Sequence, residues 1–443
     1  MDLENLRYKT IKEVSEWIEA GQICPEELTH FYLEKISSDP KSKDVFTEVL
    51  KNSALDSAKE SKKRAKRGMR KGILDGIPIS VKDLADIAGH LTRGGSSLTD
   101  TKKAKKNAVF VEKLYSEGVI ILGKTHMTEL AFSGLGLNPA TATPPNPLNE
   151  KLVSGGSSSG SAVSVSRNYC LASIGSDTGG SVRIPAAWNN LVGLKTTHNI
   201  IDLTGVLKLC PSFDTLGPIC KSVEDSHFLF DAMTNANFQK PTKLKPENFK
   251  FLVIKNMFFE NIDNDINNSF NIAIEKIIQS GATVEYKNLS EIDSAFEISK
   301  TVFPAEAYGI WHHEIEKNPE KMFAPIRERF RSGRDIVACD YIFSLHKLLD
   351  LRMSFLKKVV GFDAILAPTS PIKPPSITQL LDDHNFFTEK NLLALRNTRI
   401  ANSLNLCALT LPTKTDFSGL MLMGRPNSEV ELMSIGLSIE KIK

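Results

Sequence analysis

The chain has 443 residues, 41% hydrophobic and 24% charged, with 55 basic against 52 acidic side chains and a formal charge of +3. That length is ample for a large buried core, and the near-neutral balance argues against a dedicated nucleic-acid or membrane surface. No stretch has the apolar length of a membrane-spanning helix, and the N-terminal MDLENLRYKTIKEV lacks a signal peptide's apolar core.

The first 40 residues read as two helices. Thr10 and Glu13 form a capping-box pattern, Ile11, Val14, Trp17 and Ile18 make an apolar stripe, and Gly21 stops the helix. Pro25 suits a second start, followed by apolar positions at Leu28, Phe31, Tyr32, Leu33 and Ile36. A third helix, near 52–66, runs into the basic stretch Lys62-Lys63-Arg64-Ala65-Lys66-Arg67 and on to Lys71. With no interleaved aromatic residue in a nearly neutral chain, this reads as a solvated helix end rather than an RNA-binding face. Residues 1–70 are therefore expected to form a helical segment packed on a single body made by residues 71–443.

From about residue 72 the pattern becomes α/β. Residues 77–81 read as a strand, 108–116 as a helix ended by Gly118, and 119–122 as the next strand. The alternation returns with a strand at 251–254, a helix carrying Ile266, Phe270, Ala273 and Ile277, then Gly281 and a strand at 283–286. Apolar runs at 364–367, 408–411 and 419–423 add strands. Short apolar runs alternating with helices predict a mainly parallel sheet covered on both faces.

Between Gly155 and Ala186 lies GGSSSGSAVSVSRNYCLASIGSDTGGSVRIPA, with the triplets Gly155-Gly156-Ser157 and Gly179-Gly180-Ser181 joined by a small-residue helix and a short strand. Glycine pairs tolerate positive φ and let the backbone approach a ligand, so two serines can be presented to one pocket. The backbone N–H groups of 179–181 can converge on a developing negative charge. Pro185 suits the first position of a helix, which would put Ser181 near its positive end. A base is available upstream, where the strand run Gly76-Ile77-Pro78-Ile79-Ser80-Val81 ends in Lys82 and Asp83.

Two other motifs compete. Gly118 to Thr125 satisfies GxxxxGK[ST], but its middle residues, Val119, Ile120, Ile121 and Leu122, belong in a strand core, whereas a phosphate loop follows its strand. Gly156-Ser157-Ser158-Ser159-Gly160 satisfies the GxSxG nucleophile elbow, which requires a downstream acid and histidine; histidines do follow, at 198, 227, 312, 313, 346 and 384. No strong apolar strand enters that elbow, and it leaves the second glycine-serine turn unexplained. The six cysteines, Cys24, Cys170, Cys210, Cys220, Cys339 and Cys407, contain no CxxC pair; they suggest neither a zinc site nor a disulfide framework and fit a reduced cytoplasm.

GIPISVKD, GGSSSGS and DTGGSVRIPAA, in this order and separation, resemble the amidase signature family of Ser-cisSer-Lys hydrolases. The similarity runs on through GKTHMTELAFSGLGLNP (123–139), GLKTTHN (193–199) and SFDTLGPICKSVED (212–225) to GLMLMGRP near the end. It implies the amidase signature fold, an α/β architecture with a mixed, largely parallel central sheet covered by helices on both faces. It also implies Ser181 as nucleophile, Ser157 as the bridging serine after a cis peptide, and Lys82 as the base, kept neutral by burial. Thr178, Gly179, Gly180 and Ser181 would supply oxyanion N–H groups, Asp177 and Arg183 match the polar pair flanking the nucleophile loop, and Met127 would line the site.

The implied activity is hydrolysis of a carboxamide C–N bond through an acyl-enzyme, releasing ammonia or an amine, with no metal and no organic cofactor. The expected partner is a small-molecule amide, with no nucleic acid and no membrane; a homodimer stays open. The alternatives are the glutaminase subunit of a tRNA-dependent amidotransferase and a non-catalytic scaffold of the same fold. The stretch Glu306-Ala-Tyr-Gly-Ile-Trp-His-His and the Ser332-Gly333-Arg334-Asp335 segment resemble stand-alone bacterial amidases, or carboxybiuret-hydrolase-like relatives, more than that subunit. Specificity is expected in segments 134–154 and 290–385, the second carrying Phe303, Tyr308, Trp311, His312, His313 and Phe323. Two positions depart from the family pattern: Ser154 stands where a proline is frequent, and Thr196-Thr197 where Pro-Thr is common.

Overall fold

Aliphatic runs too short for helices, bounded by glycine and polar turns, become strands. In the computed structural model, which describes residues 3–99, 102–234 and 238–442, they are β1 (Phe46–Val49), β2 (Pro78–Lys82), β3 (Ile120–Thr125), β4 (Pro145–Asn146), β5 (Asn149–Val153), β6 (Ala172–Ser176), β7 (Val192–Lys195), β8 (Leu216–Cys220), β9 (Lys250–Ile254), β10 (Thr283–Lys287), β11 (Ala364–Pro368), β12 (Cys407–Pro412) and β13 (Gly419–Gly424). β4 and β5 form a small hairpin, and the other eleven make one sheet in the order β1-β3-β2-β6-β8-β7-β12-β13-β11-β9-β10.

The sheet is mixed, as expected, but the expectation of a largely parallel one is corrected. Four of its ten pairings are parallel, β3–β2–β6 in one wing and β11–β9–β10 in the other, and the remaining six are antiparallel. The reason is physical. Strands buried on both faces read as continuous apolar runs whatever their direction, so β2, β6, β8, β11 and β13, buried at every position, carry no alternation that would betray antiparallel neighbours.

The N-terminal helices form where capping chemistry starts them. Thr10 and Glu13 close both halves of the capping box on helix Ile11–Glu19, and Pro25 opens helix Pro25–Ser38. Helix Lys51–Lys66 follows, but the reading of this region as purely helical missed β1, which pairs antiparallel with β3 at the sheet edge. The basic run turns partly inward: Arg64 forks onto Asp75 at 2.7 and 2.6 Å, and Lys62 pairs with Glu26 at 2.7 Å. Two of its cations are thereby matched to acids of this chain. No described helix is long and apolar enough to cross a membrane.

The GxxxxGK[ST] pattern is strand, not loop. Gly123, Lys124 and Thr125 lie inside β3, and the fully buried Lys124 ammonium pairs with Asp83 at 2.7 Å. What matters for chemistry is where strands end. β2 and β6 run parallel side by side, so Lys82 and Ser176 finish at the same edge, and β6 is also where pairing switches to antiparallel with β8.

Two glycines test the packing. A Cβ on Gly217, in β8, would lie 1.8 Å from the Leu194 carbonyl oxygen of β7, whereas one on Gly309, inside helix Ser290–Lys317, meets open space. Gly217→Ala should cost about 1–3 kcal/mol. Gly309→Ala should be neutral or stabilise by up to about 1 kcal/mol. Denaturant midpoints moving in the same direction for both would contradict this packing.

Candidate active site

Lys82 closes β2 with its side chain 1% exposed. Its Nζ donates to Ser157 Oγ at 2.7 Å and to Ser176 Oγ at 2.8 Å. Burial pushes this lysine down to about 7, with the carboxylates of Asp177 and Asp214 pulling weakly the other way. The group is therefore poised between charged and neutral forms near physiological pH.

Ser157 follows a cis Gly156–Ser157 peptide. The loop that bears it is fastened from outside: Gly155 N–H donates to Leu135 O at 3.0 Å, Gly156 N–H to Gly134 O at 2.8 Å, and Ser157 O accepts from Thr128 N–H at 3.0 Å. One residue on, Ser158 N–H donates to Ser181 O at 3.2 Å, which ties the two glycine-serine loops together. The Ser158 hydroxyl itself is engaged with the Ser176 backbone, donating to its carbonyl and accepting from its N–H.

The loop carrying Ser181 is shaped by a buried carboxylate. Asp177 accepts from the backbone N–H groups of Gly180 at 2.8 Å and Val182 at 3.1 Å, and forms a two-pronged pair with Arg183 through Nε at 3.0 Å and Nη2 at 2.9 Å. Both side chains are wholly buried. Burial alone would raise the Asp177 carboxyl, but the charge and hydrogen bonds of Arg183, helped by Lys195 and Asn402, hold it well below the usual carboxylate range. Arg183 also donates to Thr398 O at 2.7 Å and Asn402 Oδ1 at 2.6 Å.

Four expectations are adjusted here. Gly180 is expected from the motif to offer an oxyanion N–H, but that group is taken by Asp177; among the described residues, the N–H groups of Thr178, Gly179 and Ser181 have no protein acceptor. Gly180 is needed for another reason, since a Cβ there would lie 2.1 Å from Thr398 Oγ1. Asp177 and Arg183 do not line the cavity at Ser181 and act as the clamp of its loop; Met127, 1% exposed, packs in the core instead. The helix behind Ser181 spans Arg183–Trp188, so Pro185 occupies its third position rather than its first.

Thr178, Gly179 and Ser181 line a narrow cavity of about 20 Å³ together with Phe132, Leu209, Phe303, Arg329, Leu395 and Arg399. Of the aromatic residues expected at a pocket, Phe303 is there, stacked on Phe213 at 4.3 Å, while Phe323 packs against Phe387 and His384. Tyr308 and His312 line a separate groove with Glu306, and no residue of 134–154 borders the cavity. Among the described residues no histidine hydrogen-bonds to Ser157, Ser158 or Ser181, and Ser158, the serine of the GxSxG pattern, is bonded to the Ser176 backbone while its neighbour Ser157 contacts Lys82.

Other contributors were not read from sequence. Ser176 is the second acceptor of Lys82, and Asp214 holds Thr178 through its hydroxyl at 2.6 Å. Helix His384–Ser403 supplies the rest on one face: Asn391 accepts from Gly134 N–H, Thr398 donates to Gly179 O, and Asn402 donates to Asp177. The available signal was the spacing of Asn391, Thr398 and Asn402, which recur on one helix face, a polar stripe too well buried to be a solvent face.

A family model described as "Amidase" matches residues 27–433. A 2-amino-5-chloromuconic acid deaminase of Comamonas testosteroni is 32% identical over 379 residues, 83% of this chain and 82% of that protein. The A-subunit of the glutamyl-tRNA(Gln) amidotransferase of Ruminiclostridium cellulolyticum is 29% identical over 482 residues, 99% of this chain and 98% of that one. Among solved structures, one described as an amidase superposes with a TM-score of 0.89 at 26% identity, covering 98% of this chain and 99% of its own.

Two outcomes follow from the geometry. Asp177→Asn leaves Arg183 buried without its counter-charge and should cost about 3–5 kcal/mol in denaturant unfolding. A loss below about 1 kcal/mol would mean that the clamp is not what holds the loop. Because only neutral Lys82 accepts a proton, the rate at which a fluorophosphonate modifies Ser181 should climb with pH through about 7 and level off above it. A rate constant unchanged between pH 5 and pH 9 would remove Lys82 from the proton path.

Proposed function

The chain belongs to the amidase signature family, and from that premise we propose that it is an amidohydrolase cleaving the C–N bond of a small carboxamide through a serine acyl-enzyme. The observation that carries this reading is the buried Lys82, pushed down to about 7 and 2.7 Å from Ser157 Oγ. A lysine kept out of solvent without a carboxylate partner of its own is costly unless its neutral form is used.

In the first half-reaction Ser181 Oγ attacks the amide carbonyl, and its proton passes through the Ser157 hydroxyl to Lys82 Nζ. The carbonyl oxygen becomes an oxyanion held by the N–H groups of Thr178, Gly179 and Ser181, which have no acceptor among the described residues. Collapse of the tetrahedral adduct breaks the C–N bond as the proton returns by the same route to the departing nitrogen, releasing ammonia or an amine. Water then adds to the ester, losing a proton along that relay, and Ser181 leaves with it to free the acid. Protonating the nitrogen is what makes it a viable leaving group.

The Comamonas relative is named as a deaminase of a small organic acid, which supports ammonia release from a small substrate. A second reading has its own support: the amidotransferase match runs end to end, so a glutaminase working within a larger complex also fits. The two separate on purification, since a stand-alone amidase is active without partners.

Intact-mass analysis after fluorophosphonate treatment should find one adduct on the wild type, none on Ser181→Ala, and strongly slowed labelling of Lys82→Ala. With a panel of primary amides, Ser181→Ala should abolish turnover and Ser157→Ala should lower kcat at least about 100-fold, the scale of a lost proton relay. Near-normal turnover by either serine variant would reject the assigned roles. An adduct without turnover of any amide, including glutamine, by the protein alone would favour the partner-dependent glutaminase.

A further inference from the structure

Helix Ala338–Lys358 has two apolar faces. One packs inward, with Leu348 and Phe355 buried and Tyr341, Leu345 and Leu351 set against the core. The other faces solvent. Cys339, Ile342, His346, Leu349, Met353 and Leu356 recur at alternating spacings of three and four residues, and Val360, just past the helix end, continues the series. That rhythm is the narrow seam of a coiled coil. Ile342, Leu349, Met353 and Val360 are 53, 55, 59 and 73% exposed, and of the seam only Leu356 is half-buried. Of the seventeen exposed large apolar side chains among the described residues, six lie between Val337 and Val360. Single exposed apolar residues are ordinary, whereas a stripe of them in one line marks a surface that another molecule covers.

The two ends of the seam differ in charge and in shape. Asp340 stands in the first turn and Lys357 in the last, and neither takes part in an ion pair among the described residues; Lys358 is matched to Glu291 at 2.7 Å. Beside the N-terminal end runs a groove of about 580 Å³ lined by Tyr308, Ile310, Ile336, Ala338 and Tyr341, and at the C-terminal end Val360 projects into solvent. An acid and a groove at one end, a base and a knob at the other, make a surface complementary to itself turned end for end, which is the requirement of a two-fold interface. Antiparallel helices also oppose their dipoles. A lipid surface suits the seam less, because a membrane-lying helix flanks its apolar face with cations, whereas Asp340 and Asp350 balance Lys347 and Lys357 here.

We propose that the protein is a two-fold dimer whose central contact is helix Ala338–Lys358 packed antiparallel on the same helix of a second copy. Centred between Lys347 and Leu348, this pairing sets Cys339 against Leu356 of the second copy, Ile342 against Met353, and His346 against Leu349. It brings Asp340 near Lys357 of the second copy and lays Val360 toward that copy's groove. The seam from Cys339 to Val360 is about 30 Å long at the rise of an α-helix. Phe343, 68% exposed, and the groove widen the contact toward the roughly 800 Å² per copy of a standard interface. Arg352 of the same helix donates to Ser403 O at 2.8 Å, so the contact lies one layer behind helix His384–Ser403, which holds Asp177 through Asn402.

Light scattering on the full chain at about 10 μM should give twice the mass of one chain. Leu349→Glu combined with Met353→Glu should raise the dissociation constant at least about 30-fold, the loss expected of central apolar anchors. Ile272→Glu, at a similarly exposed position of helix Asn264–Gln279, should leave the dimer unchanged. Asp340→Lys and Lys357→Asp should each weaken association, and the two together should restore it. Under oxidation, Leu356→Cys should give a covalently linked dimer, and adding Cys339→Ser should prevent the link. A wild type of one-chain mass up to about 100 μM would overturn the proposal, as would a dimer indifferent to the paired glutamate changes. Wild-type chains linked through Cys339 alone would mean parallel helices and overturn the antiparallel pairing. A wild type that stays a single chain and binds a different protein through Leu349 and Met353 would reject the second copy as the occupant.

Discussion

The ion pair between Asp177 and Arg183 is the constraint on which the site depends. Two opposite charges with no solvent access would be expensive to bury separately, and each is tolerated because the other completes its hydrogen bonding. Asp177 also gathers the N–H groups of Gly180 and Val182, which folds the Ser181 loop around the carboxylate. Arg183 reaches out to Thr398 and Asn402, so the same pair anchors helix His384–Ser403 against that loop. A local turn and a helix about 200 positions away are thereby held in one geometry.

Close by, the opposite electrostatic solution operates. Lys82 is equally buried but has two serine hydroxyls as its immediate partners and no carboxylate, and its proton affinity falls accordingly. Asp177 and Asp214 would restore that affinity were they free to act, yet Asp177 is matched to Arg183 and Asp214 accepts from Thr178 and from the backbone of Leu209 and Cys210. Pairing thus keeps one charge and burial removes another within a single crevice. Both states come from the same low-dielectric surroundings, and what separates them is whether a counter-ion lies within hydrogen-bond reach.

The cavity wall follows a third pattern. Arg329 and Arg399 have neither a carboxylate like Arg183 nor a neutral form within reach like Lys82. Their aromatic neighbours, Phe132, Phe296 and Phe303, stabilise the cations through ring faces, and Phe132 also accepts from Arg329 through its backbone carbonyl. The elements that bring them there, helices Ala324–Arg331 and His384–Ser403, lie outside the glycine-serine core of the site.

Local rules settle whatever depends on neighbours in sequence. The capping box of Thr10 and Glu13, the helix start at Pro25, and the strand that ends in Lys82 are all short-range matters of backbone and periodicity, and each forms as read. Ser157 and Ser181 stand out in sequence because glycine-rich turns around a hydroxyl form a compact pattern, and Lys82 because it ends a strand run. Tertiary structure alone decided what such patterns touch. Ser176 meets a lysine 94 positions away, Asn402 meets Asp177 across 225, and the Gly180 N–H belongs to Asp177. Strand direction in the middle of the sheet was also beyond reach of sequence, because a run buried on both faces presents the same residues to a parallel and an antiparallel neighbour. Arg329 and Arg399 complete the contrast: in sequence they are two cations among 55 basic residues, and only packing places them beside Ser181 with no ion-pair partner among the described residues.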